Sequence, residues 1–358
     1  MMAIESPVRI PALDYEKEMK RWSQVFKILS EDGPKIEHSP RQLVWRKNKT
    51  TLWYYAAEEK KYSTPLFFVY SLLNKPYILD ISPETSVIAG LTKRGYDVYL
   101  LDWGTPGYED SDISFDTYIL DYLEKGVKRA LRHSGEEEIS VVGYCLGGTI
   151  ASIFASITDL PIKNLIVATV PIDFSTGIGP EKWLEGMKNG QFEIDRLVDV
   201  YGTIPADYIY YGMKSLAPIY VSPYVGLMSR AHDSKYVERW RRMDKWLNDA
   251  TPFTGAALKQ MFNELYKENK LVKGELVIGG KKADLSKIDC PFFAVSSAND
   301  SLIAESQSLP IMDLVSSEDK TYKLVEAGHV SLALSGMFAP LVDEWLASRS
   351  TKVEDKTN

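Results

Sequence analysis

The chain has 358 residues, 45% of them hydrophobic, and a formal net charge of −7. That length and apolar content suffice for one large core with a smaller inserted module, while the acidic balance disfavours nucleic acid as a partner. There is no run of 18 apolar residues and no charged-then-apolar leader, so neither a membrane span nor a signal peptide is expected. Only two cysteines are present, which argues for a reducing, cytoplasmic setting without a disulfide framework. Neither C-x-x-C pairs nor H-E-x-x-H occurs, so no metal or cofactor is expected.

In chain order, residues 15–30 predict an amphipathic helix with Met19, Trp22, Phe26 and Leu29 on one face. That face either packs on its own domain or docks another subunit. Residues 43–57 and 66–70 read as the first strands, with 58–64 as a polar turn. A helix follows from Thr85 to Arg94, closed by Gly95, then a strand from Tyr96 to Asp102 and a loop at Trp103-Gly104-Thr105-Pro106-Gly107. A long helix from about Ser114 to His133 leads to the apolar run Ile139-Ser140-Val141-Val142. Alternating strands and helices of this kind call for a parallel sheet covered on both faces.

Directly after that run comes Gly143-Tyr144-Cys145-Leu146-Gly147-Gly148, and directly after it an apolar helix begins at Thr149. Strand, sharp turn and helix carry the G-x-S-x-G pattern of α/β-hydrolases, with sulfur in place of oxygen. A turn this tight holds the nucleophile in a strained conformation and leaves no room for side chains on either flank. The following helix aims its first N–H groups at the sulfur, favouring thiolate and then a developing oxyanion. The Leu146 N–H is the expected first oxyanion donor.

Asn164 to Thr169 reads as the next strand, and the alternation then stops. Between about Asp173 and Leu285 lie helical segments at 193–200, 206–216, 235–248 and 255–269 and a hairpin from Glu275 to Leu285 turning on Gly279-Gly280. This stretch, 173–285, is expected to be an inserted cap over the hydrolase core of 41–172 and 286–350. Its many aromatics, among them Trp183, Tyr208, Tyr220, Trp240, Trp246 and Phe253, read mainly as cap core, with a remainder lining an apolar entrance.

Two late strands then end in polar loops. Pro291 to Ser296 runs into Asn299-Asp300, and Tyr322 to Val325 runs into Gly328-His329. The order nucleophile, acid, histidine is that of α/β-hydrolases, so Cys145, Asp300 and His329 are the expected catalytic triad. The other three histidines, His38, His133 and His232, occupy no such position. Cys290, before a proline and without an elbow, reads as structural. Met337 to Ser348 predicts a closing helix, and 351–358 a disordered polar tail.

From about residue 40 to 348 the chain resembles the catalytic subunit of the two-subunit, class III and class IV, polyhydroxyalkanoate synthases. The resemblance rests on the G-x-C-x-G-G box, Val69-Tyr70-Ser71-Leu72-Leu73-Asn74-Lys75-Pro76-Tyr77-Ile78-Leu79-Asp80, Asp97 to Gly104, Pro171 to Phe174 and Lys270 to Leu285. Leu43 to Lys49 looks closer to the Bacillus-type class IV enzymes. One departure is Ser301 after Asp300, where the family usually has histidine.

The resemblance implies polymerisation of an (R)-3-hydroxyacyl-CoA, such as 3-hydroxybutyryl-CoA, into polyester with release of coenzyme A. It implies a separate partner subunit and a place on cytoplasmic storage granules, with homodimerisation open. Transfer from the sulfur of coenzyme A to that of Cys145 exchanges one thioester for another. His329 would take the thiol proton or hold the thiolate as an ion pair, and Asp300 would orient His329 and, as the resemblance implies, help deprotonate the attacking hydroxyl. A second oxyanion donor should come from the loop after Tyr70, with Leu73 the candidate. The aromatic cap would exclude water, which otherwise competes with the hydroxyl for the acyl-enzyme. With water admitted, the same triad would make the chain a thioesterase or ester hydrolase; a non-enzymatic scaffold is the third reading.

Overall fold

Segments 66–69 and 139–144 are buried along their whole length, and a strand apolar on both faces must be covered by helices on both sides. The computed structural model describes residues 15–31, 33–176, 185–186, 189–190, 193–216 and 222–353. In it α1 (Tyr15–Ser30) precedes β1 (Gln42–Lys47), β2 (Thr50–Tyr55) and β3 (Leu66–Val69). Then come α2 (Val87–Thr92), β4 (Val98–Asp102), α3 (Glu124–Ser134), β5 (Ile139–Tyr144), α4 (Leu146–Ile157) and β6 (Ile162–Ala168). The single reading of 43–57 divides into a hairpin, because Asn48, at φ 50°, supplies the left-handed turn between β1 and β2. The helix expected over 85–94 starts later, where the Ser86 side chain accepts the Ala89 N–H at 2.9 Å.

The main sheet is completed by β11 (Phe292–Ser297) and β12 (Lys320–Val325), in the order β1-β2-β4-β3-β5-β6-β11-β12. From β4 to β12 every pairing is parallel; the β1–β2 hairpin joins β4 antiparallel. The elbow strand β5 thus lies between β3 and β6, and the loops at their carboxyl ends converge on it. This is an α/β-hydrolase fold.

Between β6 and β11 stand α5 (Ile194–Tyr201), α6 (Ala206–Leu216), α7 (Ser222–Arg230), α8 (Ser234–Leu247) and α9 (Gly255–Met261). Two short pairings accompany them, β7 (Thr203–Ile204) with β8 (Phe253–Thr254) and β9 (Val277–Ile278) with β10 (Lys281–Lys282). Helix α7 was not among the expected elements, although Ser222-Pro223 is a helix-start signature. Trp183 and Tyr220 lie outside the described residues. Trp246 and Phe253 share the core of the sheet. Trp240 instead joins Leu227, Ala231 and Val25 of α1 in a second, smaller cluster. It is therefore Val25 that docks α1, while Met19, Trp22, Phe26 and Leu29 remain exposed.

The closing helices are α10 (Glu305–Ser308), α11 (His329–Leu334) and α12 (Phe338–Leu346). The tail expected from 351 is corrected at its start. Ser63 donates its N–H to the Thr351 carbonyl at 2.8 Å and Val353 donates to that of Lys61 at 3.0 Å, so 351–353 pair with 61–63. Residues 354–358 lie outside the described residues. Among the described residues no helix is long and apolar enough to cross a membrane.

Candidate active site

Cys145 stands between β5 and α4 at φ 55°, ψ −134°, a left-handed conformation that is strained for a residue with a side chain. Its own N–H is held by the Ala168 carbonyl at 2.9 Å, and its carbonyl accepts the Gly148 N–H at 2.8 Å. Crowding explains the flanking glycines. A Cβ on Gly143 would lie 2.5 Å from the Gly148 Cα, and one on Gly147 2.2 Å from the Val69 carbonyl oxygen.

Asp300 follows β11 and His329 opens α11, and the structure brings their side chains together at 2.7 Å, Nδ1 to Oδ2. The second carboxylate oxygen of Asp300 accepts the Leu302 and Ile303 N–H groups at 2.9 and 2.8 Å, which fixes the acid's orientation. His329 is buried. Burial opposes its charged form, but the Cys145 sulfur and the Asp300 carboxylate outweigh that and push its pKa up to about 10. A further contact escaped the sequence reading: the Tyr144 hydroxyl donates to the His329 carbonyl at 2.5 Å, and its ring meets the imidazole edge-on. The signal was the position of Tyr144 beside Cys145, on a strand whose every residue is buried.

The remaining histidines stand elsewhere. His133 Nδ1 pairs with the Tyr99 hydroxyl at 2.7 Å, His38 lies beside Asp80, and His232 is exposed. Cys290 is partly buried, and burial, with the Asp289 charge adding to it, pushes its thiol up to about 11.

Above Cys145 is a cavity of about 190 Å³. Leu73 and Leu146 line it from the core, and Leu197, Met213, Phe262 and Tyr266 from the insert. Leu146 is the first residue of α4, so its N–H has no partner within the helix. The Leu73 N–H is engaged with Ser71 Oγ at 3.1 Å, a local bond that an oxyanion would have to share or displace. Phe262 and Tyr266 belong to a π-helical stretch, Phe262–Lys267, that continues α9, and their rings stack at 4.9 Å. The sequence suggested an ordinary helix over 255–269, because a π-turn leaves no mark in hydrophobic spacing; such turns cluster at functional sites.

The alpha/beta hydrolase fold family matches residues 64–334, and the poly-beta-hydroxybutyrate polymerase N-terminus matches residues 14–90. The poly(3-hydroxyalkanoate) polymerase subunit PhaC of Haloferax mediterranei is 32% identical over 330 residues, which cover 90% of this chain and 66% of that protein. The chain therefore spans about two thirds of that relative's length. The subunit of the same description from Allochromatium vinosum is 30% identical over 346 residues, covering 94% of this chain and 96% of that one. Among solved structures, a hydrolase from Pseudomonas aeruginosa PA01 superposes with a TM-score of 0.53 at 18% identity, covering 86% of this chain and 98% of the other, a likeness of fold alone.

Proposed function

Since the chain belongs to the family of poly(3-hydroxyalkanoate) polymerase subunits, acyltransferases on an α/β-hydrolase fold, we propose that it polymerises (R)-3-hydroxyacyl-CoA through an acyl-enzyme on Cys145. The observation that carries this reading is a sulfur at a strained elbow, sharing a buried site with a histidine oriented by a carboxylate.

The chemistry follows from the charges. A histidine held near 10 is protonated throughout the neutral range, and an imidazolium is the partner that the Cys145 sulfur needs to attack as a thiolate. The thiolate attacks the thioester carbonyl, and the oxyanion forms against the Leu146 N–H and, once Ser71 Oγ yields, that of Leu73. The C–S bond to coenzyme A breaks, and the imidazolium gives its proton to the departing thiolate. The 3-hydroxyl of a second acyl unit then attacks the Cys145 thioester while His329 removes its proton. An oxoester forms, the Cys145 thiolate returns, and the imidazolium is restored for the next cycle. The apolar insert over the sulfur keeps water from competing for the acyl group. The partner is a separate synthase subunit, and the place of action is the surface of cytoplasmic polyester granules.

Incubating the purified chain with 3-hydroxybutyryl-CoA, alone and with its co-purifying subunit, tests the reading. Insoluble polyester with release of coenzyme A is expected. Soluble 3-hydroxybutyrate in its place identifies a thioesterase, and no release a scaffold.

The pH profile tests the ion pair. The imidazolium is present below its raised pKa and lost above it, so release of coenzyme A should show an alkaline limb near pH 10. Asp300→Asn removes one of the two charges that raise His329, so the limb should move down toward the ordinary histidine value of about 6.5. A limb that stays in place in Asp300→Asn would show that the carboxylate does not hold the histidine charged.

A further inference from the structure

The cavity over Cys145 is walled mainly by apolar side chains, but one polar group on it belongs to the core. Gln307, on α10, is 2% exposed. Its carbonyl accepts the N–H groups of Ile172 and Asp173 at 2.9 and 3.0 Å, tying it to the loop after β6. Its side-chain oxygen accepts the Ala304 N–H at 3.0 Å. A backbone N–H can only donate, so the atom facing Ala304 must be the oxygen, and the amide NH2 is left for the other side. Among the described residues that nitrogen has no hydrogen-bond partner. A donor with no protein acceptor is open to a ligand, and here it belongs to a residue on the cavity wall.

Position narrows what the acceptor is. Leu73 follows β3 and Leu146 follows β5, so the carbonyl oxygen of an acyl group on Cys145 is drawn toward that side. Gln307 is anchored to the loops after β6 and β11, across the nucleophile. The acyl chain leaving the carbonyl on that side reaches its first heteroatom at C3. Resting on the acyl-enzyme reading above, we propose that the Gln307 amide donates a hydrogen bond to the C3 oxygen of the acyl unit on Cys145, and so selects 3-oxygenated acyl groups over plain ones. A donor suits both states of that oxygen, since a free hydroxyl accepts before chain growth and an ester oxygen accepts after it.

The test is single-turnover release of coenzyme A from 3-hydroxybutyryl-CoA, 3-methoxybutyryl-CoA and butyryl-CoA, using the full chain with its partner subunit. The unaltered protein should acylate with the two 3-oxygenated thioesters about 10-fold or more faster, in kcat/KM, than with butyryl-CoA. In Gln307→Met that ratio should collapse to within about 3-fold, with a native far-UV circular dichroism spectrum as the sign of an intact fold. The methoxy compound accepts but cannot donate. If the unaltered protein treats it like butyryl-CoA, the assignment is overturned whatever the variant does. A ratio kept in Gln307→Met but lost in Tyr266→Phe moves the contact to the insert and also overturns it. No release from any thioester would remove the acyl-enzyme reading and this assignment with it.

Discussion

Replacing Cys145 with alanine is expected to lower release of coenzyme A from 3-hydroxybutyryl-CoA by about 10⁴-fold or more, since losing the nucleophile disables a unit whose members act together. The histidine depends on the sulfur as well as the reverse, because the charge on Cys145 is one of the causes that keep His329 protonated. Alanine therefore removes the attacking atom and part of the reason for the imidazolium. Serine should fall between alanine and the native residue. Its hydroxyl is not ionised near neutrality, so His329 must act as a base from a lowered pKa. The fold should survive both changes. Cys145→Gly should even raise the melting temperature slightly, because glycine adopts φ 55° without strain. Stopped-flow release of coenzyme A and thermal unfolding on the same samples check both halves. Undiminished release from Cys145→Ala would end the proposed mechanism.

Gly147→Ala is expected to be strongly destabilising. The added carbon would lie 2.2 Å from the Val69 carbonyl oxygen and 2.7 Å from the Tyr70 carbonyl carbon. Both are backbone atoms at the end of β3, so no side chain can rotate away. Helix α4 would have to move off β3, and Cys145 and the Leu146 N–H with it. A cost of about 3 kcal/mol or more is expected, or a fall in melting temperature of roughly 4 °C or more for a chain of this size. Gly135→Ala is the contrast. Gly135 also has a positive φ, 72°, but nothing lies within 4 Å of its Cβ position. It should cost only the backbone penalty of about 1 kcal/mol. Equal losses at the two positions would mean that conformation, not crowding, governs the elbow.

The parts of the fold legible in the sequence were those that periodicity and turn chemistry encode. The apolar runs at 66–70 and 139–142 had to be buried strands, and the glycines around Cys145 had to answer to a close approach. The pairing of Asp300 with His329 could be found because each follows a strand end in the required order. Other features have no local signature. The split of 43–57 hinges on one asparagine that tolerates a left-handed turn. The π-turn that brings Phe262 and Tyr266 to the cavity changes which residues share a face without changing their spacing in sequence. Gln307 is told from any helical glutamine only by its partners, Ala304 along the chain and Ile172 and Asp173 far from it. The exposed stripe on α1 shows the same limit from the other side, since amphipathic spacing says that a face is apolar and not which residue, here Val25, meets the protein.

The two sulfurs of this chain differ in a way that gives the molecule a built-in reporter. Cys290, with its thiol pushed up to about 11, is almost wholly protonated near neutrality, whereas Cys145 faces a cavity beside an imidazolium. An electrophile small enough to enter the cavity will therefore mark one cysteine per folded molecule and spare the other. The stoichiometry of that labelling counts the competent fraction of any preparation, and denaturation before labelling, which frees both thiols, supplies the total against which it is read.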